Sequence, residues 1–436
     1  MSLKKIFFFL ALISLTSLVS AATYANCGAV PSSELDGRTC IPITSTTCNS
    51  TKLDQSNSYY LLMNNITANN SCFYMVGENI VLNLNKYTIN YAVNGSTVSC
   101  LEGGTGNVCH YGIYSSWGSN NAPDKPFAEE YGNTVNSPVI KNGSIIDGSK
   151  ESFYSHAIYF SYVFNVEIYD LNIFGQGEQT SGIIISGAEN AIVHDVNITL
   201  DSAKADPCSH YSGHISGVYL VNEGGQIEIY NNKVMGKGMI GIHMTECGNW
   251  NSNTPALIHN NYISQWSPVR DGYAIAMSAA NGGCSDGTKI YNNTINQING
   301  RGIAVAGNDY ETDNGVGNVE IYGNNITVRE GWDCEYDGSG TGTGIRVRFG
   351  AHNIYAHDNF IYGFAGKGVA VGSHPTKDGS KTIGLYVGNG GPYGKNNVYE
   401  NNYIEVTTNY AGYGYADTTY AAIGIYEGGR PADSGL

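Results

Sequence analysis

Residues 288–295 read TKIYNNTI, residues 319–326 read VEIYGNNI and residues 256–263 read ALIHNNYI. The same phrase, Ile-Tyr-Asn-Asn-x-Ile or a close variant, ends at Ile173, Ile198, Val234, Ile263, Ile295, Ile326, Ile361 and Ile404, in steps of 25, 36, 29, 32, 31, 35 and 43 residues. Self-similarity at a period of roughly 20–50 residues marks a solenoid, in which each unit buries its apolar face only by stacking on the next. Function is then expected on outward side chains that neighbouring coils bring together.

Between these phrases runs a second pattern, x-Gly-Ile-x-Val. It occurs at Gly182–Ile185, Gly217–Leu220, Gly241–Met244, Gly302–Val305, Gly344–Val347 and Gly368–Val371, with looser copies at Ala157–Phe160 and Ala422–Ile425. Apolar residues alternate at period two in both patterns, which predicts half-buried strands. The same strands recur in the same direction, so like strands from successive turns are expected to pair in parallel, about 4.7–4.9 Å apart. The predicted fold is all-β, a single-stranded parallel β-helix. An Asn two residues before the closing apolar residue, at Asn232, Asn261, Asn293, Asn324, Asn359 and Asn402, predicts a ladder of hydrogen-bonded amides along the axis. Leu171 and Val196 hold that place in the two earlier coils, so the ladder should begin at Asn232.

The chain opens with Lys4 and Lys5, an apolar run from Ile6 to Val19, and Ser20-Ala21-Ala22. This pattern predicts a signal peptide over 1–21 and hence a secreted or cell-surface protein, with no membrane span after cleavage. Ten cysteines in an exported chain read as disulfides. Cys100/Cys109, Cys208/Cys247 and Cys284/Cys334 are candidate pairs, and spacing alone leaves the connectivity open. A formal net charge of −15 excludes the basic stripe that nucleic acid requires. Sequons at Asn49, Asn65, Asn69, Asn94, Asn142, Asn197, Asn292 and Asn325 offer sites for glycans. Residues 22–75 read as an N-terminal cap and first turns, 76–430 as the solenoid with a long inserted loop over 94–137, and 431–436 as a tail. No amphipathic helix follows the last strand copy, which leaves end-to-end self-association open.

These phrases resemble the right-handed parallel β-helix superfamily, the pectate-lyase-like fold, over roughly Asn79 to Ile425. The resemblance implies a right-handed coil and a place among polysaccharide lyases, hydrolases, epimerases, phage tailspikes and non-catalytic surface proteins. The Asp-Asp pair and Gly-His-Gly of polygalacturonases and the Arg-x-Pro-x-x-Arg of many pectate lyases do not occur in this chain, so no catalytic residue carries over by motif.

Candidate chemistry comes instead from the outward positions of the x-Gly-Ile-x-Val strand, the residue before Gly and the middle residue. They include His156, Tyr159, Tyr219, His243, Tyr273, Arg301, Arg346 with Arg348, and Lys367. Arg301, Arg346 and Lys367 are expected on three successive coils as a basic patch suited to uronate carboxylates. Asp309, Glu311 and Asp313 on one side, and Asp333, Glu335 and Asp337 on the other, are candidate ligands for Ca²⁺, which takes six to eight oxygens. A lyase on an acidic glycan would use a base beside the carboxylate and cations to stabilise the developing charge. His243 with Glu246 is a second acid–base candidate. Tyr159, Tyr219 and Tyr273 are candidate sugar contacts. A further stripe, Tyr169, His194, Tyr230, His259, Tyr291, Tyr322 and His357, reads either as a glycan track or as rings stacked on one another. Two functions remain: a secreted enzyme acting on an acidic polysaccharide, and a non-catalytic adhesin or filament subunit.

Overall fold

The computed structural model describes residues 27, 30–93, 99–100, 107–115, 135–149, 154–176, 180–201, 216–221, 225–238, 240–245, 255–266, 272–278, 287–298, 300–306, 316–329, 341–348, 351–365, 381–388, 396–408 and 421–428. They form one sheet of 21 strands, one of 13 and a short pair, Val135–Asn136 with Val163–Phe164, around one main core with two smaller apolar clusters near the N-terminus. The fold is a parallel β-helix solenoid. From Ala191 onward the coils contribute three strands each, and like strands stack into three arrays. Before that, Val139–Asp147 and Val166–Gly175 each span the first two arrays as one long strand.

The first array includes Ala191–His194, Ile227–Tyr230, Ala256–His259, Lys289–Tyr291, Glu320–Tyr322 and Tyr355–His357. The second includes Asn197–Asp201, Lys233–Lys237, Tyr262–Trp266, Thr294–Ile298, Asn325–Arg329, Phe360–Ala365 and Tyr403–Thr408. The third runs through Tyr154–Ser161, Thr180–Ser186, Ser216–Val221, Ile240–Thr245, Tyr273–Ser278, Arg301–Ala306, Thr341–Arg348, Lys381–Gly388 and Ala421–Gly428. Stacking is already present near the N-terminus, where Thr39–Ile43 pairs in parallel with Ser58–Leu62. The one antiparallel pair among the described residues joins Ser99–Cys100 to Asn107–Ser115.

Register places like residue on like. In the first array Ile168, Val193, Ile229, Ile258, Ile290, Ile321 and Ala356 form one inward column, all fully buried. Ile198, Val234, Ile263, Ile295, Ile326 and Ile361 form another in the second. Each such side chain contributes about 1.5–3 kcal/mol by leaving water.

The corner between the first two strands explains the central letters of the phrase. Asp170, Asp195, Asn231, Asn260, Asn292, Asp358 and Asn401 have φ between 51° and 56°, and Gly323 has φ 63°. Asn, Asp and Gly tolerate this left-handed conformation best. The next residue turns inward, and there the amide ladder forms. The Oδ1 of Asn293 accepts from the backbone N–H of Asn261 at 3.0 Å and from its Nδ2 at 3.0 Å. Asn293 Nδ2 donates to Ile258 O and to Asn324 Oδ1, both at 3.0 Å. The pattern runs from Asn232 to Asn402, and its first Oδ1 caps the N–H of Val196 at 3.0 Å.

Cys27 bonds to Cys40 and Cys48 to Cys72, pinning the first coils. The pairs Cys208/Cys247 and Cys284/Cys334 lie outside the described residues, as do the signal-peptide segment and most of the loop over 94–137. Among the described residues no helix is long and apolar enough to cross a membrane.

Candidate functional site

The outer face of the third array carries the candidate residues. Its middle column reads Tyr114, Tyr159, Ile184, Tyr219, His243, Ala276, Ala304 and Arg346 in successive coils. The neighbouring outward column reads Ser186, Val221, Thr245, Ser278, Ala306 and Arg348. Four small residues, Ala276, Ser278, Ala304 and Ala306, therefore make a floor two coils wide. Tyr219 and His243 bound it on one side, with rings stacked at 4.7 Å, and the Tyr219 hydroxyl is 3.3 Å from Thr245 Oγ1. Arg346 and Arg348 bound it on the other. From His243 to Arg346 is three coil steps, about 14 Å.

The position before Gly forms its own column, Ser216, Ile240, Tyr273, Arg301 and Thr343. This column is expected to face outward, but most of it is covered from solvent, with Tyr273 half-buried. Arg301 is 5% exposed, and Ser216 and Thr343 are at most 1% exposed. His156, at the equivalent place before Ala157, is also buried. The guanidinium of Arg301 lies 4.9 Å over the Tyr273 ring, so each covers the other. Register also separates the arginines. Arg301 pairs with Thr343 and Arg346 with Ala304, so the two lie one coil apart but three residues apart along the strand. Arg346 and Arg348 are the half-buried cations that share a strand face.

Tyr159 belongs to a separate aromatic cluster near the N-terminus, 5.2 Å from Tyr111, which is itself 5.2 Å from Tyr114. Tyr219 is 8% exposed. The three candidate tyrosines thus fall in three different surroundings. Lys367, Glu246, Asp309, Glu311, Asp313, Asp333, Glu335 and Asp337 lie outside the described residues. Among the described residues no group of three or more His, Cys, Asp and Glu side chains is arranged to hold a metal ion. The floor of Ala276 and Ala304 was missed by reading charge alone. Its signal is the middle letter of the motif, which is Ala in both Ala274–Met277 and Gly302–Val305.

The ring stripe of the first array stacks on itself. From Tyr169 through His194, Tyr230, His259, Tyr291 and Tyr322 to His357, successive centroids are 4.7–5.2 Å apart and planes differ by 2–11°. The column continues past the rings. Lys141 stands at its N-terminal end, 5.7 Å over Tyr169, and is held at 2.8 Å by Glu34 from the helical turn Ser32–Leu35. Each histidine meets a glutamate of the preceding coil: His194 with Glu167 at 3.5 Å, His259 with Glu228 at 3.0 Å and His357 with Glu320 at 3.2 Å. The ring faces are occupied by one another, which favours the stiffening role over a glycan track.

No protein-family model matches this chain, and no curated protein does. The fold places it in the class of parallel β-solenoids, and its activity has to be argued from its own residues.

Proposed function

We propose that this chain is an extracellular solenoid that binds an acidic polysaccharide across the outer face of its third array and acts there as a lyase. The observation that carries this reading is the small-residue floor closed by Tyr219 and His243 at one end and by Arg346 and Arg348 at the other. A sugar ring would rest above this floor, between the taller side chains, because Ala276 and Ala304 are themselves only 6% and 5% exposed. Two guanidinium groups on one strand face suit a uronate carboxylate. In β-elimination a base removes the proton beside that carboxylate, the bond from the neighbouring carbon to the glycosidic oxygen breaks, and that oxygen takes up a proton. Arginine stays protonated in ordinary surroundings, so Arg346 and Arg348 are assigned to charge neutralisation. Lys367 is the candidate base. Ca²⁺ on Asp309, Glu311, Asp313, Asp333, Glu335 and Asp337 would supply further positive charge.

A second reading, binding without turnover by a surface adhesin, is favoured by aromatic side chains exposed on the second array, Phe360 and Tyr403 among them. One experiment separates the two. The purified chain and its R346A/R348A variant are incubated with polygalacturonate, alginate and glucuronan, following both the ultraviolet absorbance of unsaturated ends and retention in affinity gels. The lyase reading expects product from the parent chain and at least a tenfold loss in the variant, about 1.4 kcal/mol. Retention without product leaves only the binding reading.

A further inference from the structure

The variable letter of the Asn-Asn-x-Ile phrase forms a column of its own on the outer face of the second array: Asn172, Asn197, Lys233, Tyr262, Thr294, Asn325, Phe360 and Tyr403. Four aromatic residues of this face are well exposed, Tyr262 at 41%, Phe360 at 52%, Phe364 at 43% and Tyr403 at 51%. They differ from the ring ladder in their packing. Phe360 and Tyr403 are 6.2 Å apart and tilted by 40°, so these rings do not spend their faces on each other.

Charge on the face is organised around the rings. Lys233 Nζ lies 5.7 Å over Tyr262, its partner in the next coil, and the Arg329 guanidinium lies 5.8 Å over Phe364, likewise its partner in the next coil. Among the described residues the two carboxylates of the face are engaged. Asp201 pairs with Lys237 at 3.5 Å, and Glu405 accepts from the Tyr403 hydroxyl at 3.0 Å. The face therefore offers two copies of one unit, a cation beside an exposed ring. They stand three coils apart, about 14 Å along the axis, and four residues apart along the strand, about 13 Å. The Lys233 column runs through Tyr262 and Thr294 to Asn325, while Arg329 and Phe364 lie at the other end of their strands. The coils between carry the polar, exposed Thr294 and Asn325.

We propose that this face is a binding track for an acidic polysaccharide, crossing the strands obliquely from Tyr262 to Phe364 and separate from the third array. A pyranose presents an apolar C–H face to an aromatic ring, and its carboxylate reaches a neighbouring cation. A linear chain of several such sugars spans the oblique separation of the two units, roughly 20 Å. The track shares only its substrate class with the function proposed above. It uses no residue of that site and performs no chemistry, serving to hold the polymer on the surface.

The test measures binding of hexagalacturonate and of neutral cellohexaose to the purified chain by titration calorimetry, with light scattering to report self-association. Four proteins are compared: the parent chain, Y262A/F364A, K233A/R329A and R346A/R348A. Substitutions at exposed positions should leave the circular dichroism melt in place, which establishes folding. The track predicts that Y262A/F364A weakens hexagalacturonate binding about tenfold or more. K233A/R329A should abolish the preference for the acidic over the neutral hexasaccharide and flatten its salt dependence. R346A/R348A should retain the track's affinity. If R346A/R348A removes all binding, the track is wrong and the third-array site stands. If Y262A/F364A removes all binding while R346A/R348A changes nothing, the track stands and the third-array site fails. Absence of binding by the parent chain overturns the track. So does a parent oligomer that Y262A/F364A dissociates without loss of sugar affinity, because the rings would then be a contact between copies.

Discussion

Asn293 stands in the middle of a chain of amides in which every donor and acceptor is used. Asn293→Ala would strand the N–H of Asn261 and the carbonyl of Ile258 inside the molecule. Buried unsatisfied groups cost about 1–3 kcal/mol each, so a loss of roughly 3 kcal/mol is expected by urea denaturation. Asn172→Ala removes only a surface acceptor, 3.2 Å from Asn197 Nδ2, and should change stability by less than about 0.5 kcal/mol. The ladder was legible because one residue type recurs at one offset. The ring stripe was legible for the same reason, but its end at Lys141 was not, since the column outruns the phrase that defines it. His357 makes a second residue-scale prediction. Partial burial disfavours its charged form, but Asp358 and Glu320 together raise its pKa above the ordinary imidazole value. Glu320, held low chiefly by Lys289, remains a carboxylate through the same range. A raised folded pKa gives stability that is fully present below the unfolded value, about 6.5, and is lost as pH rises through the folded one. His357→Gln should therefore cost more stability at about pH 5.5 than at about pH 8.5. Equal losses at both, in parallel urea titrations, would remove the charge from the account.

At the scale of the coil, the two sequence patterns turn out to be halves of one contact. A side chain added at Gly302 would meet Ile326 Cγ2 at 2.5 Å and the Gly344 carbonyl at 2.5 Å. Gly182 against Ile198, Gly217 against Val234 and Gly241 against Ile263 repeat the arrangement. The glycine of these four strands is thus fixed by the closing apolar residue of the phrase that follows it, while Ala157 and Ala274 hold the same place in two others. Gly302→Ala should cost about 1–3 kcal/mol by overpacking, with the backbone carbonyl unable to move aside. Combining it with Ile326→Ala, which removes the Cγ2 that the new methyl meets, should cost less than the sum of the two single losses in a double-mutant cycle of denaturation midpoints, whereas simple additivity would show that Ile326 is not what the methyl meets. Period-two alternation made the strands themselves legible, together with the outward placement of His243, Arg346 and Arg348. It did not settle which copy stacks where. Gly368–Val371 fits the pattern but lies outside the described residues, and the strand paired with Thr341–Arg348 is Lys381–Gly388, whose Ile383–Val387 also alternates apolar residues. A pattern this short is met more than once per coil, and only the pairing of whole strands selects among its copies. The burial of Arg301 was out of reach for a related reason, because its Tyr273 partner is set by inter-coil register.

Over the whole molecule, each coil touches the coils before and after it, so stability is close to a sum of nearest-neighbour terms. The described contacts are uneven along that line. The first coils are pinned by Cys48–Cys72 and by the Glu34, Tyr59, Asn83 and Lys141 cluster, while the amide ladder starts only at Asn232. A defect in the ladder should then open its own neighbourhood first. In Asn293→Ala, hydrogen exchange followed by mass spectrometry should show faster exchange in peptides covering Ala256–His259, Thr294–Ile298 and Asn325–Arg329, which flank the lost amide. Peptides covering Ser58–Leu62 and Val81–Asn83 should keep the protection of the parent chain, because no ladder bond reaches them. A uniform rise in exchange across all these peptides would mean that the solenoid opens as one unit, and that the nearest-neighbour description fails for it.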